Sequence, residues 1–128
     1  MAKIIIIEDK PANMKLAVFL LKCAGYEVLQ ANDAESGLAL IGSEMPELVL
    51  MDMRLPGMDG LAATRRLKSD PGLAHIKVIA LTARAMKGDG EAIRAAGCDG
   101  YLPKPFHHQH FLGMVSHMLG DTNMIAKL

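Results

Sequence analysis

Short apolar runs alternate along this chain with longer segments in which apolar residues recur at helical spacing. The strongest runs are 4–7, 48–51 and 78–81, and none shows the polar alternation of a strand with one face in water. Strands buried on both faces are typical of a parallel sheet covered by helices. Weaker runs at 27–30 and 100–103 predict two further strands, the first at an edge of the sheet.

Each segment after a strand predicts a helix, because it carries an apolar stripe and a glycine or proline stop. The first helix begins near Pro11 and ends at Gly25, and the fourth covers about residues 85–96 before Gly97. Gly88 and Gly90 would each weaken that fourth helix by about 1 kcal/mol relative to alanine. The expected inner-face residues are Met14, Val18 and Leu21 in the first helix, Ala34, Leu38 and Ile41 in the second, Leu61, Thr64 and Leu67 in the third, and Phe111, Val115 and Met118 in the fifth.

Side chains with acceptor oxygens stand where two of the helices begin. Asn32 or Asp33 is suited to cap the second helix, and Asp59 is suited to cap the third. Five strand–helix units with right-handed crossovers predict a doubly wound (βα)5 flavodoxin-like α/β domain with a five-stranded parallel sheet. The 128 residues fit one domain over residues 1–120, and residues 121–128, which lack a period, form a C-terminal tail.

Composition and charge exclude several classes of protein. The chain is 51% hydrophobic, which excludes a disordered protein, and its formal net charge is zero, so a global field that would attract nucleic acid is absent. Cys23 and Cys98 are too few for a disulfide framework, and we expect buried, unreactive thiols. Without a signal peptide or an apolar run of roughly 18 residues, we expect a cytoplasmic protein with no membrane insertion and no direct DNA binding.

Residues suited to phosphate chemistry follow four of the strands, namely Glu8-Asp9, Asp52, Thr82 and Lys104. Carboxyl ends of parallel strands meet at the edge where open α/β sheets bind ligands. Asp52 is the candidate nucleophile, since a carboxylate that attacks phosphorus gives an acyl phosphate. Asp9 and Asp52 would repel each other without a cation, and Mg²⁺ suits such an all-oxygen site.

Two further groups are candidates for binding the phosphoryl oxygens. Lys104 offers a compact positive charge and Thr82 offers a hydroxyl donor. The backbone amides of Met53 and Ala83 are candidate additional donors, and the small side chain of Ala83 would leave the pocket open to small phosphodonors and water.

The ordered set resembles the receiver domains of bacterial two-component response regulators, the CheY-like family. The matching motifs are the acidic pair Glu8-Asp9, Asp52 after its apolar strand, Pro56-Gly57, Thr82-Ala83 and Lys104-Pro105-Phe106. The resemblance covers about residues 3–119. Within the family, the stretches 13–16, 73–76 and 85–89 are most similar to a single-domain regulator of cell division.

This resemblance implies a phosphorelay function. Asp52 would accept a phosphoryl group from a sensor histidine kinase or a histidine phosphotransferase, with Mg²⁺ or Mn²⁺ as the cofactor. Asp9 and Asp52 would bind the metal directly, Arg54 through its backbone carbonyl, and Glu8 through water. The Lys104–Pro105 bond would be cis, as is typical of the family, and the protein would support only its own phosphorylation and dephosphorylation.

The family's switch is also implied for this chain. Phosphorylation would draw Thr82 toward the phosphate, Tyr101 would move from an exposed to a buried position, and the face made by the fourth helix, fifth strand and fifth helix would change. Since the chain ends shortly after the fifth helix, we expect output through contact with a downstream protein.

Other functions remain open at this stage. An aspartate-nucleophile phosphatase is one, although Arg54 stands where that class has its second aspartate. A phosphorylation-independent binding module and a flavin binder are others, although the acidic loop after Ile7 opposes a flavin phosphate. Each candidate residue also has a purely structural alternative. Asp52 could cap the loop that follows its strand, and Thr82 could cap the fourth helix. Lys104 could be an ion-pair partner of Asp52, and Tyr101 could pack on the surface beside Phe106.

A few residues depart from the family pattern or stand outside the predicted site. Lys10 follows the acidic pair where a polar residue is usual, and Arg54 and Arg84 occupy positions that influence the lifetime of the acyl phosphate. His107, His108 and His110 are best explained as solvated residues at a helix start, because no second cluster supplies the remaining metal ligands.

Overall fold

Five parallel strands form one sheet in the computed structural model, which describes residues 2–83 and 89–120. The strand order is β2-β1-β3-β4-β5. The chain moves outward from β1 to β2, crosses back to β3 and continues to the other edge, which confirms the doubly wound (βα)5 fold and the edge position of β2. The strands are β1 (Lys3–Ile7), β2 (Glu27–Ala31), β3 (Leu48–Asp52), β4 (Lys77–Thr82) and β5 (Gly100–Pro103).

Helices follow all five strands. Asp33, not Asn32, caps the second helix by accepting the Ser36 N–H at 2.8 Å, and Asp59 caps the third by accepting the Ala62 N–H at 2.8 Å. None of the helices in the described part of the chain is long and apolar enough to span a bilayer. The helices are α1 (Pro11–Cys23), α2 (Ala34–Glu44), α3 (Gly60–Ser69), α4 (Asp89–Ala96) and α5 (His108–Leu119).

Some expectations fall on residues that the structure does not describe. These are the start of the fourth helix near residue 85, the glycine at position 88, Arg84 and the tail 121–128.

The core lies in two layers, one on each face of the sheet. Ile4 and Ile6 face the layer covered by α1 and α5, whereas Ile5 and Ile7 face the layer covered by α2, α3 and α4. Successive side chains of a strand point to opposite faces, so the four isoleucines divide evenly between the layers. All four are fully buried, as expected of a strand covered on both sides.

The two cysteines lie in different environments, and the expectation of two buried thiols is wrong for Cys23. Cys23 is exposed, whereas Cys98 is buried. Cys23 ends α1 two residues beyond the buried Leu21, and two residues rotate a helix by about 200°, so its side chain faces water. Burial raises the pKa of the Cys98 thiol, which keeps it protonated and unreactive.

Gly60 allows α3 to begin directly against the end of β3. Its N–H donates to the Met53 carbonyl oxygen at 3.2 Å. A Cβ at this position would lie 2.7 Å from Met53 Cα and would also collide with the Asp52 carbonyl oxygen. Backbone atoms cannot yield as a flexible side chain can, so the loop that follows Asp52 closes only with glycine here.

We predict that Gly60→Ala lowers the free energy of unfolding by about 1–3 kcal/mol, because overpacking against backbone forces the loop to shift. Gly42→Ala is the matched control. It lies inside α2, an added Cβ would meet nothing within 4 Å, and alanine should stabilise the helix by up to about 1 kcal/mol. Urea denaturation measures both, and equal stability of the two variants would refute the steric explanation.

Candidate functional site

The register of β1 and β3 places two acidic side chains next to each other. Ile7 pairs with Met51, so Glu8 and Asp52, the residues that follow, lie side by side at the carboxyl edge of the sheet. This is the point where the strand order reverses, since the chain leaves β1 toward one edge and β3 toward the other. Open α/β sheets bind ligands in the crevice at such a point.

The register of the other strands brings Thr82 and Lys104 to the same edge. Asp52 pairs with Leu81, and Thr82 pairs with Pro103, which precedes Lys104. The N–H of Lys104 donates to the Thr82 carbonyl oxygen at 2.8 Å. The residues that the sequence predicted at four strand ends therefore meet at one edge.

Lys104 makes ion pairs with two buried carboxylates. Its Nζ lies 2.7 Å from Glu8 Oε1 and 3.2 Å from Asp52 Oδ2. The contact with Asp52 matches the ion pair considered from the sequence, whereas the shorter contact with Glu8 was not predicted. The Lys104–Pro105 peptide bond is cis, as the family resemblance implied.

Three carboxylates form a group that fits a divalent cation. Glu8, Asp9 and Asp52 each offer an oxygen, and these oxygens lie within 4.8 Å of one another. Glu8 is 1% exposed and Asp52 2%, whereas Asp9 faces solvent. Lys104 supplies one positive charge against three negative ones, so two charges remain to be neutralised. Hard oxygen ligands with one open, solvent-facing side are what Mg²⁺ and Mn²⁺ prefer.

Backbone N–H groups of the two loops also contact the carboxylates. The Arg54 N–H donates to Asp52 Oδ1 at 3.0 Å, and the Lys10 N–H donates to Glu8 Oε2 at 3.1 Å. The Met53 N–H, our expected phosphoryl donor, instead donates to the Leu81 carbonyl oxygen at 3.0 Å. The Asp52 side chain thus accepts a hydrogen bond from the backbone N–H two residues later, which is the geometry of an Asx turn. The sequence Asp-x-x-x-Pro-Gly could have indicated this turn.

Burial raises the pKa of Asp52 above its ordinary value of 3.8. Contact with the Glu8 carboxyl raises it further, while the Arg54 N–H and the charge of Lys104 oppose the shift. Ionised Asp52 is therefore less stable in the folded protein than in water, as expected of two acidic groups in one buried site.

The other residues that the sequence predicted to be functional differ in their exposure to solvent. Thr82 is buried, with 8% exposure, and Tyr101 on β5 is 40% exposed. Ala83 is exposed, and so are Lys10 and the Arg54 side chain. Within residues 2–83 and 89–120, no histidine belongs to a group of three side chains able to hold a metal. The exposed histidines at the start of α5 are His107, His108 and His110.

The fold and the site together define a receiver domain. The model of the response regulator receiver domain family matches residues 4–116, so the chain belongs to this family. It is DivK-like, being 43% identical over 119 residues to the polar-differentiation response regulator DivK of Brucella anthropi. That alignment covers 93% of this chain and 97% of the relative.

Two solved structures share the fold at moderate sequence identity. The receiver domain of sensor histidine kinase PA1611 from Pseudomonas aeruginosa, with a magnesium ion coordinated in its active-site cleft, is 32% identical with a TM-score of 0.86, covering 93% of this chain and 98% of that one. The Mn²⁺-bound form of response regulator Rcp1 is 26% identical with a TM-score of 0.81, covering 93% and 95%. These two relatives of the same fold thus hold Mg²⁺ and Mn²⁺, respectively.

We predict that Asp52→Asn stabilises the protein in EDTA, raising Tm by roughly 3–6 °C at neutral pH. A carboxyl whose pKa is raised by folding contributes stability that is lost as pH rises through the folded-state pKa. The free energy of unfolding of the wild type should therefore fall above about pH 4. The amide variant lacks this loss. Its advantage should therefore be absent below about pH 4 and grow with pH until the folded-state pKa of Asp52 is passed, as measured by thermal unfolding across pH.

Asp59→Asn is the control for this experiment. It removes an exposed carboxylate from the loop that follows β3 and keeps an oxygen that accepts the Ala62 N–H. It should show no gain that grows with pH. If Asp52→Asn behaves like Asp59→Asn, the buried acidic site is not a source of instability.

Proposed function

We propose that this protein is a phosphorelay response regulator that accepts a phosphoryl group on Asp52 from the phosphohistidine of a sensor kinase or histidine phosphotransferase. The supporting observation is the buried Asp52 carboxylate at the carboxyl edge of the sheet, 3.2 Å from the Lys104 ammonium and grouped with Glu8 and Asp9. A nucleophile, a cation-binding group and a phosphate-binding lysine thus stand within reach of one phosphoryl group.

Asp52 would act as the nucleophile. One of its carboxylate oxygens forms a bond to phosphorus as the phosphorus–nitrogen bond of the phosphohistidine breaks, and the imidazole leaves with the electron pair and takes up a proton. The product is an acyl phosphate. Hydrolysis by water then returns the carboxylate and releases inorganic phosphate.

Glu8, Asp9 and Asp52 would hold Mg²⁺ or Mn²⁺, with Asp9 and Asp52 as direct ligands, the Arg54 carbonyl as a third and Glu8 acting through water. The metal would supply neutralisation of the carboxylates and of the phosphoryl oxygens during transfer. The all-oxygen donor set and the unbalanced negative charge support this assignment, as do the metal-bound receivers PA1611 and Rcp1.

Lys104 and Thr82 would bind the phosphoryl oxygens, together with backbone amides. Lys104 already points its ammonium at Asp52, and Thr82 follows the strand position next to Asp52. The Ala83 amide is a second proposed donor. The Met53 amide would have to leave the Leu81 carbonyl to serve in this way, so the Arg54 N–H, which already contacts Asp52, is the better placed donor.

The output would be a change in protein contacts on the face formed by α4, β5 and α5. Tyr101 lies on β5, next along the sheet to the strand that ends at Thr82, and its 40% exposure leaves room for the ring to become buried. Inward movement of Thr82 would open space for Tyr101. A downstream protein that reads this face, in a process of the cell-division or polar-differentiation kind, is the proposed partner.

The proposed activity is regulatory, limited to the protein's own phosphorylation and dephosphorylation. An aspartate-nucleophile phosphatase needs a second acid two residues after the nucleophile. Arg54 occupies that position, and its exposed side chain has no proton to give at neutral pH.

We predict that acetyl phosphate with Mg²⁺ adds one phosphoryl group to the wild-type protein, and that Asp52→Asn removes this reaction, because an amide cannot form the acyl phosphate. Intact-mass spectrometry and phosphate-affinity gels measure the incorporation. The control is Asp59→Asn, which removes an exposed carboxylate seven residues after Asp52. This variant should still be phosphorylated. Incorporation that survives in Asp52→Asn would overturn the assignment.

We predict further that beryllofluoride with Mg²⁺ buries the Tyr101 ring. The chain has two tyrosines, and Tyr26, which is 8% exposed, serves as the internal control. With fluorotyrosine labelling, the solvent-isotope shift of the Tyr101 ¹⁹F signal should fall while that of Tyr26 stays constant. An unchanged Tyr101 signal in protein that has bound beryllofluoride would exclude the tyrosine from the switch.

A further inference from the structure

The last strand of the sheet, β5, leads directly to Lys104, yet it has few hydrogen bonds with which to hold its position. It has four residues and lies at an edge of the sheet, next to β4. Its last residue, Pro103, has no N–H to donate to β4. At the carboxyl end, the Lys104 N–H donates to the Thr82 carbonyl oxygen at 2.8 Å. The contacts at the amino end therefore decide how firmly the strand, and with it Lys104, is placed.

Asp99, the residue before β5, holds the amino end with both its backbone and its side chain. Its N–H donates to the Val78 carbonyl oxygen at 2.8 Å, and its Oδ2 accepts the Val78 N–H at 2.9 Å. Asp99 thus satisfies both the donor and the acceptor of one β4 residue, and the two bonds fix the position of β5 along β4. In this register Thr82 pairs with Pro103, which places Lys104 at the carboxyl edge.

Lys68, in the last turn of α3, holds the Asp99 carboxylate in place. Its ammonium donates to Asp99 Oδ2 at 3.2 Å and to the carbonyl oxygens of Ala74 and Ile76 at 3.1 and 2.7 Å, so all three of its donors are used. The Lys68 and Asp99 side chains are only 19% and 27% exposed, so salt screens this pair less than a fully exposed one. The lysine stem packs against Gly97, where a Cβ would lie 2.8 Å from Lys68 Cγ.

Apolar packing alone does not supply such precise placement. Leu102 is buried whereas Tyr101 is 40% exposed, and this alternation opposes a slip of β5 by one residue. Burial of apolar surface is not directional, so it constrains the position of a strand along its axis only weakly. A group that takes part in a reaction has to be held within roughly 0.5 Å of its productive position. Directional hydrogen bonds such as those of Asp99 meet this requirement.

We propose that Asp99, held by Lys68, is a positioning residue for phosphoryl transfer. It anchors β5 along β4 and so sets where the Lys104 ammonium stands relative to Asp52. Asp99 lies at the amino edge of the sheet, opposite to the site, and acts through the backbone of the four-residue strand between them. This inference rests on the function proposed above and adds to it two residues that act through Lys104.

The backbone amide of Lys104 gives a direct test in the full chain. In the wild type, a scalar coupling across the hydrogen bond should connect the Lys104 ¹⁵N to the Thr82 carbonyl ¹³C. Asp99→Ala should weaken this coupling and speed hydrogen exchange of the Lys104 N–H by about tenfold. Asp99→Asn should preserve both, because its amide oxygen replaces the single Oδ2 that accepts from Val78 and Lys68. An unchanged signal in Asp99→Ala, or an equal loss in Asp99→Asn, overturns the proposal.

Asp33→Ala is the control for lost stability without a change at β5. It removes the acceptor of the Ser36 N–H at the start of α2, a helix that packs on β1 and β2. Loss of this N-cap destabilises the protein, but the coupling between Lys104 and Thr82 should stay at its wild-type value. If Asp33→Ala weakens that coupling as much as Asp99→Ala does, general destabilisation explains the result and the proposal is wrong.

The rate of phosphorylation by acetyl phosphate in saturating Mg²⁺ tests the consequence for the reaction. Asp99→Ala should slow it by about tenfold in protein that urea denaturation shows to be folded, and Asp99→Asn should restore the rate. Lys104→Met should slow the wild type more than it slows Asp99→Ala, because the lysine of that variant is already misplaced. An equal factor in both backgrounds would show that Asp99 does not act through Lys104, and would overturn the proposal.

Lys68→Met carries the same test if Asp99→Ala does not fold. The methionine keeps an apolar stem beside Gly97 but removes the ammonium from Asp99 Oδ2, so the phosphorylation rate should fall by about threefold and the Lys104 amide should exchange faster. No change in this variant would overturn the proposal. If the wild type is not phosphorylated at all, the proposed function fails, whereas the Lys104 amide still reports whether Asp99 positions β5.

Discussion

The ion pairs of Lys104 with Glu8 and Asp52 are the interaction on which the rest of the site depends. Two carboxylates that are almost completely buried lie beside each other at the end of two neighbouring strands. Without a cation between them, their desolvation and repulsion would oppose folding. Lys104 supplies that cation, and because it directly follows β5, the pairs also tie the edge strand β5 to the centre of the sheet.

The parallel sheet determines which side chains share this site. Asp52 and Thr82 are the last residues of their strands, and Glu8 and Lys104 directly follow theirs. The register of backbone hydrogen bonds, rather than the flexible part of a loop, therefore sets the spacing of these side chains. Gly60 extends this control to the loop after β3, because its missing side chain lets α3 start against the backbone of Met53. Precise placement of a buried charge is needed, since a small displacement would leave it without its partner.

Much of this arrangement is predictable from the sequence, and the exceptions have identifiable physical reasons. Uninterrupted apolar runs predict the buried strands, and strand ends on a parallel sheet must converge, which is why Asp52 and Lys104 were expected to meet. The Lys104–Glu8 contact depends on the reach of two side chains from strands that are not neighbours in the sheet, and spacing along the chain carries no such information. Cys23 was misjudged because its apolar neighbours do not reveal on which side of α1 it lies.

The burial of Asp52 beside Glu8 disfavours its ionised form, and the same arrangement makes the site gain stability when a cation binds. A carboxylate already satisfied by hydrogen bonds and solvent would gain little when a cation arrives, whereas this one is raised in pKa by burial and by Glu8. Neutralising it therefore releases free energy that the resting fold has stored as unfavourable charge. Lys104 offsets only part of that charge, since one ammonium pairs with two members of a group of three carboxylates. The incomplete balance is thus a physical reason for the metal uptake and the modification of Asp52 that we propose.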